Sequence, residues 1–74
     1  METFEDLHIG KLIKQRLKEF KRSQSWLANE LDYDDSNLRK ILKKKHIAYE
    51  MLFKISIVLK TDFFAFYSEK LNFE

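Results

Sequence analysis

Ser23-Gln24-Ser25-Trp26-Leu27-Ala28-Asn29-Glu30-Leu31-Asp32-Tyr33-Asp34-Asp35-Ser36-Asn37-Leu38-Arg39-Lys40-Ile41-Leu42 is the stretch that decides how this chain folds. Ser23 is suited to accept a hydrogen bond from exposed backbone N–H groups, and Leu27 and Leu31 follow it one helical turn apart. A short helix over Gln24 to Leu31 is therefore expected. Asp32-Tyr33-Asp34 breaks the apolar period. Asp34 then offers a second N-cap, with Leu38, Ile41 and Leu42 on the buried side of a helix running to about Lys44. The small Ala28 suits a point where one helix crosses another closely.

Outward from this pair, the same period continues in both directions. Ile9, Leu12, Ile13, Leu17 and Phe20 recur at helical spacing before it, with Lys11, Lys14, Gln15, Lys18 and Glu19 on the opposite face. After Lys45-His46-Ile47, the residues Leu52, Ile55 and Leu59, joined by Met51 and Val58, mark a fourth helix. It is apolar around much of its circumference and is expected at the centre of the core. Thr61 or Asp62 can cap a fifth helix in which Phe63, Phe66, Tyr67 and Leu71 share a face. Residues 1–7 are acidic and read as a loosely held arm, from which Phe4 and Leu7 can fold back. Residues 8–74 make one domain.

Composition agrees with an all-α, compact five-helix bundle. One Gly, at Gly10, and no Pro leave little material for the tight turns of a β-rich domain. A chain of 74 residues supports a single core. At this size roughly 60% of the unfolded surface is buried, which disfavours a deep enclosed cavity and with it most enzymes. No catalytic nucleophile motif is recognisable, and no cofactor or small-molecule effector site is evident. His8 and His46 lack partners at metal-ligand spacing and read as surface or capping residues, so no metal is expected. Without cysteine there are neither disulfides nor thiolate sites. With no apolar segment of spanning length and no basic, apolar leader, the expected location is the cytoplasm, away from membranes.

The net charge of +2 names no partner by itself, so distribution matters more. Two short helices separated by about three residues suit a steep crossing in which the second lies in a DNA major groove. Lys43-Lys44-Lys45, with Lys21 and Arg22 before the second helix, supply cations suited to phosphates. The run Arg39 to Lys45 equally suits a solvated helix face whose cations complement a helix carboxyl end.

The blocks Ser23 to Leu31, Ser36 to Ile41, Leu52 to Leu59 and Asp62-Phe63-Phe64 together resemble the XRE family of helix-turn-helix domains, which includes Cro and the phage repressors. The resemblance runs from about Ile9 to Tyr67. It implies a lambda-repressor-like DNA-binding domain acting in a prokaryotic or phage-like transcriptional regulator, repressor-like in occupying double-stranded DNA. It further implies that Asp35, Ser36, Asn37, Arg39 and Lys40 face base edges, and that Gln24 approaches a phosphate. Arg39 has the donors for a bidentate pair with guanine and Asn37 those for adenine, while Lys40 suits base or phosphate.

Three positions depart from the family pattern. Asp35 stands where glutamine is common, and either accepts from a cytosine amino group or pairs with Arg39 four residues on. Arg22 replaces a usually apolar residue, and the common glycine after the third helix is missing. Trp26 lies off the Leu27 and Leu31 stripe and is expected to lie over the first helix. Phe64 and Phe73 are left over once the fifth helix buries its face. They suggest either a homodimer interface or a tail that folds back over them. The alternative function is a protein-interaction or antitoxin-like module that uses the aromatic carboxyl end on the same scaffold.

Overall fold

The 3.6-residue period of the apolar positions is realised as five helices among Leu7 to Leu71, the residues that the computed structural model describes. They are α1 (Ile9–Glu19), α2 (Gln24–Glu30), α3 (Asp35–Leu42), α4 (Tyr49–Val58) and α5 (Ala65–Leu71), with no strand among the described residues. None of these helices is long and apolar enough to cross a membrane. Phe4, Phe73 and most of the expected amino-terminal arm lie outside the described residues. Leu7, assigned to that arm, is buried in the core.

The core draws on four of the five helices, with Ile9, Ile13 and Leu17 from α1, Leu27 and Ala28 from α2, Leu38 and Leu42 from α3, Leu52 and Ile55 from α4, and Ile47, Leu59 and Phe63 from the connections, while α5 only rests the half-buried Phe66 and Tyr67 against it. α3 packs on both α1 and α2, and α2 also meets α4. Three expected core positions are corrected. Phe20 is 42% exposed because α1 ends at Glu19 and the chain turns before the ring can cover the core. Leu71 is 59% exposed at the end of α5, and Ile41 only half-enters the core. α4 is not central all round either, since Tyr49, Phe53 and Ile57 face outward.

Helix starts follow the side-chain chemistry of the sequence. His8 caps α1 by accepting from the Lys11 N–H through Nδ1 at 3.1 Å, and Ser23 Oγ accepts from the Trp26 N–H at 3.0 Å to cap α2. Asp62 Oδ1 accepts from the Phe64 N–H at 3.0 Å ahead of α5. His46 is no surface residue. It is half-buried, and its Nδ1 lies 2.8 Å from the Tyr67 hydroxyl, tying the α3–α4 connection to α5. Burial there pushes the Tyr67 phenol above its ordinary value of 10.0.

Three helix ends share a device that the sequence hides. α1, α2 and α4 are each followed by a residue in the left-handed region: Lys21 (φ 57°), Asp32 (φ 54°) and Lys60 (φ 50°). Each lets the next residue turn back, so that Arg22 N–H donates to Leu17 O (2.9 Å), Tyr33 to Ala28 (2.8 Å) and Thr61 to Ser56 (3.0 Å). These bonds satisfy carbonyls that the helix ends would otherwise leave open. Glycine usually fills such a position; here Lys and Asp do.

The chain's single glycine is used elsewhere. A Cβ at Gly10 would stand 2.0 Å from the carbonyl oxygen of Leu42 and 2.7 Å from that of Lys44, both backbone atoms. α1 thus begins directly on the carboxyl end of α3, and the Ile9 N–H donates to Lys45 O at 2.8 Å across the same junction. The connection after α3 needs no glycine, because none of its residues has a positive φ.

Two substitutions test these points by urea unfolding. In an unobstructed helix, glycine to alanine stabilises by about 1 kcal/mol. Gly10→Ala should instead destabilise by roughly 1–3 kcal/mol, because backbone must move to admit the methyl group. Lys60→Gly should stabilise by up to about 1 kcal/mol, the left-handed penalty of ~1–2 kcal/mol being partly offset by glycine's freedom in the unfolded chain.

Candidate nucleic-acid interface

α2 and α3 are joined by residues 31–34 and pack against each other, with Leu27 and Ala28 meeting the buried side that Leu38 and Leu42 give α3. Ala28, 2% exposed, sits where a larger side chain would hold the helices apart. The turn is compact because Asp32 accepts the left-handed conformation and directs the Tyr33 N–H to Ala28. Asp34 is the N-cap residue of α3 by position, but its side chain makes no bond to the helix backbone. Its carboxylate accepts from the Ser36 hydroxyl instead.

Asp35 is the one acid of α3, and its carboxylate is turned toward α2. Oδ2 accepts from Ser25 Oγ at 3.0 Å and from Arg39 Nη2 at 3.5 Å. Oδ1 is buried without a hydrogen-bond partner. Of the two roles open to Asp35 from the sequence, pairing with Arg39 is present in the structure. That pair is long and solvent-facing, so it contributes only a few tenths of a kcal/mol. The bond from Ser25 adds a link between helices across ten residues of sequence.

With Asp35 drawn in, the outward face of α3 and its following turn carries Ser36, Asn37, Arg39, Lys40, Lys43 and Lys44, all exposed and none acidic. Lys43 is the C-cap residue of α3. Lys45 is exposed too, though its carbonyl is engaged by Ile9. The structure thus gathers Ser36 to Lys45 on one helix and its exit.

Gln24 lies apart from that face, half-buried at the start of α2, with its Oε1 buried and without a hydrogen-bond partner. It borders an open cleft of about 470 Å³ between α1 and the start of α2, lined also by Lys11, Lys14, Lys18 and Arg22, with Leu17 in its wall. No acid lines this cleft. The three lysines were legible as a stripe at spacings of three and four on α1, but sequence alone gave them only a solvent-facing role. Arg22 has its guanidinium carbon 4.9 Å from the centre of the half-buried Trp26 ring, a cation–π contact. Trp26 packs against the core.

Compared with protein-family models, with curated proteins and with solved structures, the chain has no significant match in any of the three.

Ser25→Ala should lower stability by about 1 kcal/mol in urea unfolding, since it removes a hydrogen bond to a charged acceptor. Asp35→Asn, which keeps an acceptor for Ser25, should cost less. Equal stability of Ser25→Ala and the parent chain would count against this bond as a fastening between α2 and α3.

Proposed function

We propose that the chain binds double-stranded DNA through α3, as a helix-turn-helix regulator of the repressor-like kind that acts by occupying an operator and not by catalysis. The observation that carries this reading is the outward face of α3 and its exit, on which Arg39, Lys40, Lys43 and Lys44 are exposed while Asp35 is turned toward Ser25 of α2. A duplex carries one negative charge per ~1.7 Å of axis, so a basic helix face without an acid is attracted to it, whereas a carboxylate on that face would be repelled.

Roles within the face follow from donor geometry. Arg39 is the base-reading residue through its bidentate fork, with Asn37 and Ser36 beside it. Its weak pair with Asp35 orients the guanidinium without holding it strongly. Lys43 and Lys44 at the carboxyl end of the helix neutralise phosphates, which gives affinity without sequence choice. The α1 cleft extends the same chemistry: Lys11, Lys14, Lys18 and Arg22 suit a second stretch of backbone, with Gln24 at its edge.

Site selection from a random duplex pool at two salt concentrations tests the reading. The parent chain should enrich a defined sequence. Arg39→Ala should relax the preference at one base step at a cost of ~1–3 kcal/mol, whereas Lys44→Ala should weaken every duplex alike. Lys14→Ala should behave as Lys44→Ala does and reduce the salt slope by about 1. Absence of any duplex binding at low salt would end the proposal.

A further inference from the structure

α4 presents an apolar stripe that the rest of the described chain leaves uncovered. Tyr49, Phe53 and Ile57 are spaced four apart, stand on one side of the helix and are 73%, 59% and 62% exposed. Two shallow hollows flank Phe53. One, of about 260 Å³, lies among Tyr49, Glu50, Phe53 and Lys54. The other, of about 320 Å³, lies among Phe53, Ser56, Ile57, Thr61, Asp62 and Phe64. A continuous patch built from two aromatic rings and an isoleucine marks an interaction surface more often than a scatter of single apolar residues does.

We infer that this stripe pairs two copies of the chain, α4 against α4 in antiparallel orientation about a two-fold axis at Phe53. The charges beside the stripe select this occupant. Glu50 and Lys54 lie on the same flank, and neither is in an ion pair among the described residues. With ~1.5 Å of rise per residue, Glu50 stands about 4.5 Å before Phe53 and Lys54 about 1.5 Å after it. A two-fold axis across antiparallel helices brings like flanks together and reverses direction. Glu50 of one copy then faces Lys54 of the other with an axial offset of about 3 Å, twice per dimer. A parallel pair would set this flank against the opposite side of α4, where Ser56 stands and no residue of the helix is charged, and leave all four charges unmatched. In the antiparallel pair Phe53 meets its own copy, and Tyr49 enters the hollow beside Ile57 and Phe64. Phe64 is not left over as the sequence suggests, since it is half-buried and packed against the core, and its remaining surface lines that hollow.

Sedimentation equilibrium of the full chain tests the pairing without DNA. A stripe of this size is below the ~800 Å² per partner of stable complexes, so half-association is expected at roughly 10–100 µM. Phe53→Asp should weaken association at least about tenfold while keeping the helical circular dichroism, because the ring it replaces is largely exposed. Glu50→Lys and Lys54→Glu should each weaken self-association several-fold by placing like charges across the axis. An equimolar mixture of those two variants should recover association as a heterodimer, which a pair within one helix would not produce. A parent chain still monomeric at about 500 µM would overturn the inference and leave the stripe to a different protein. Unchanged association in Phe53→Asp, or no recovery in the mixture, would overturn it as well.

Discussion

The fold depends on a missing side chain. Gly10 allows the first turn of α1 to rest on the carbonyl groups of Leu42 and Lys44, and the Ile9 N–H closes the junction on Lys45 O. The amino end of a helix carries unsatisfied N–H groups and the carboxyl end unsatisfied carbonyls, so the partial charges at this meeting are complementary. One contact therefore fixes how α3 lies against α1. It also fixes the relation between the two basic surfaces, because Lys11, Lys14 and Lys18 belong to α1 and Lys40, Lys43 and Lys44 to α3 and its exit. The His8 cap and the bond between His46 and Tyr67 hold the approach from either side.

Much of this architecture was legible in the sequence. The period of Ile9, Ile13 and Leu17, of Leu38 and Leu42, and of Leu52, Ile55 and Leu59 fixed the buried faces, and Ser23 announced the start of α2. Helix ends were harder to read, because the usual signal is glycine and the left-handed positions here hold Lys21, Asp32 and Lys60. α3 stops at Leu42, two residues before the expected Lys44, without a left-handed residue at its end. The apolar character of α4 suggests centrality, yet hydrophobicity all round a helix reports composition and not burial. Only the tertiary arrangement shows that Tyr49, Phe53 and Ile57 are turned outward.

The candidate interface was legible in part, and for a different reason. Its cations could be located in one dimension, but whether Asp35 would blunt them depended on where its carboxylate pointed. That is settled by Ser25, ten residues earlier and on another helix, which no local pattern connects to it. The basic cleft escaped notice for the converse reason. Lys11, Lys14 and Lys18 form a visible stripe, but their meeting with Arg22 and Gln24 requires the angle between α1 and α2.

α3 is fastened at both ends, by Ser25 through Asp35 at its start and by the Gly10 junction at its finish. In the proposed complex, a helix held in this way would reach the duplex already ordered, so the conformational entropy of forming it would belong to folding and not be charged again on contact. Docking of the proposed kind would then be a rigid-body event in which only the long side chains lose freedom. The heat-capacity change of such an encounter would reflect the surface removed from water at the interface, without a folding component.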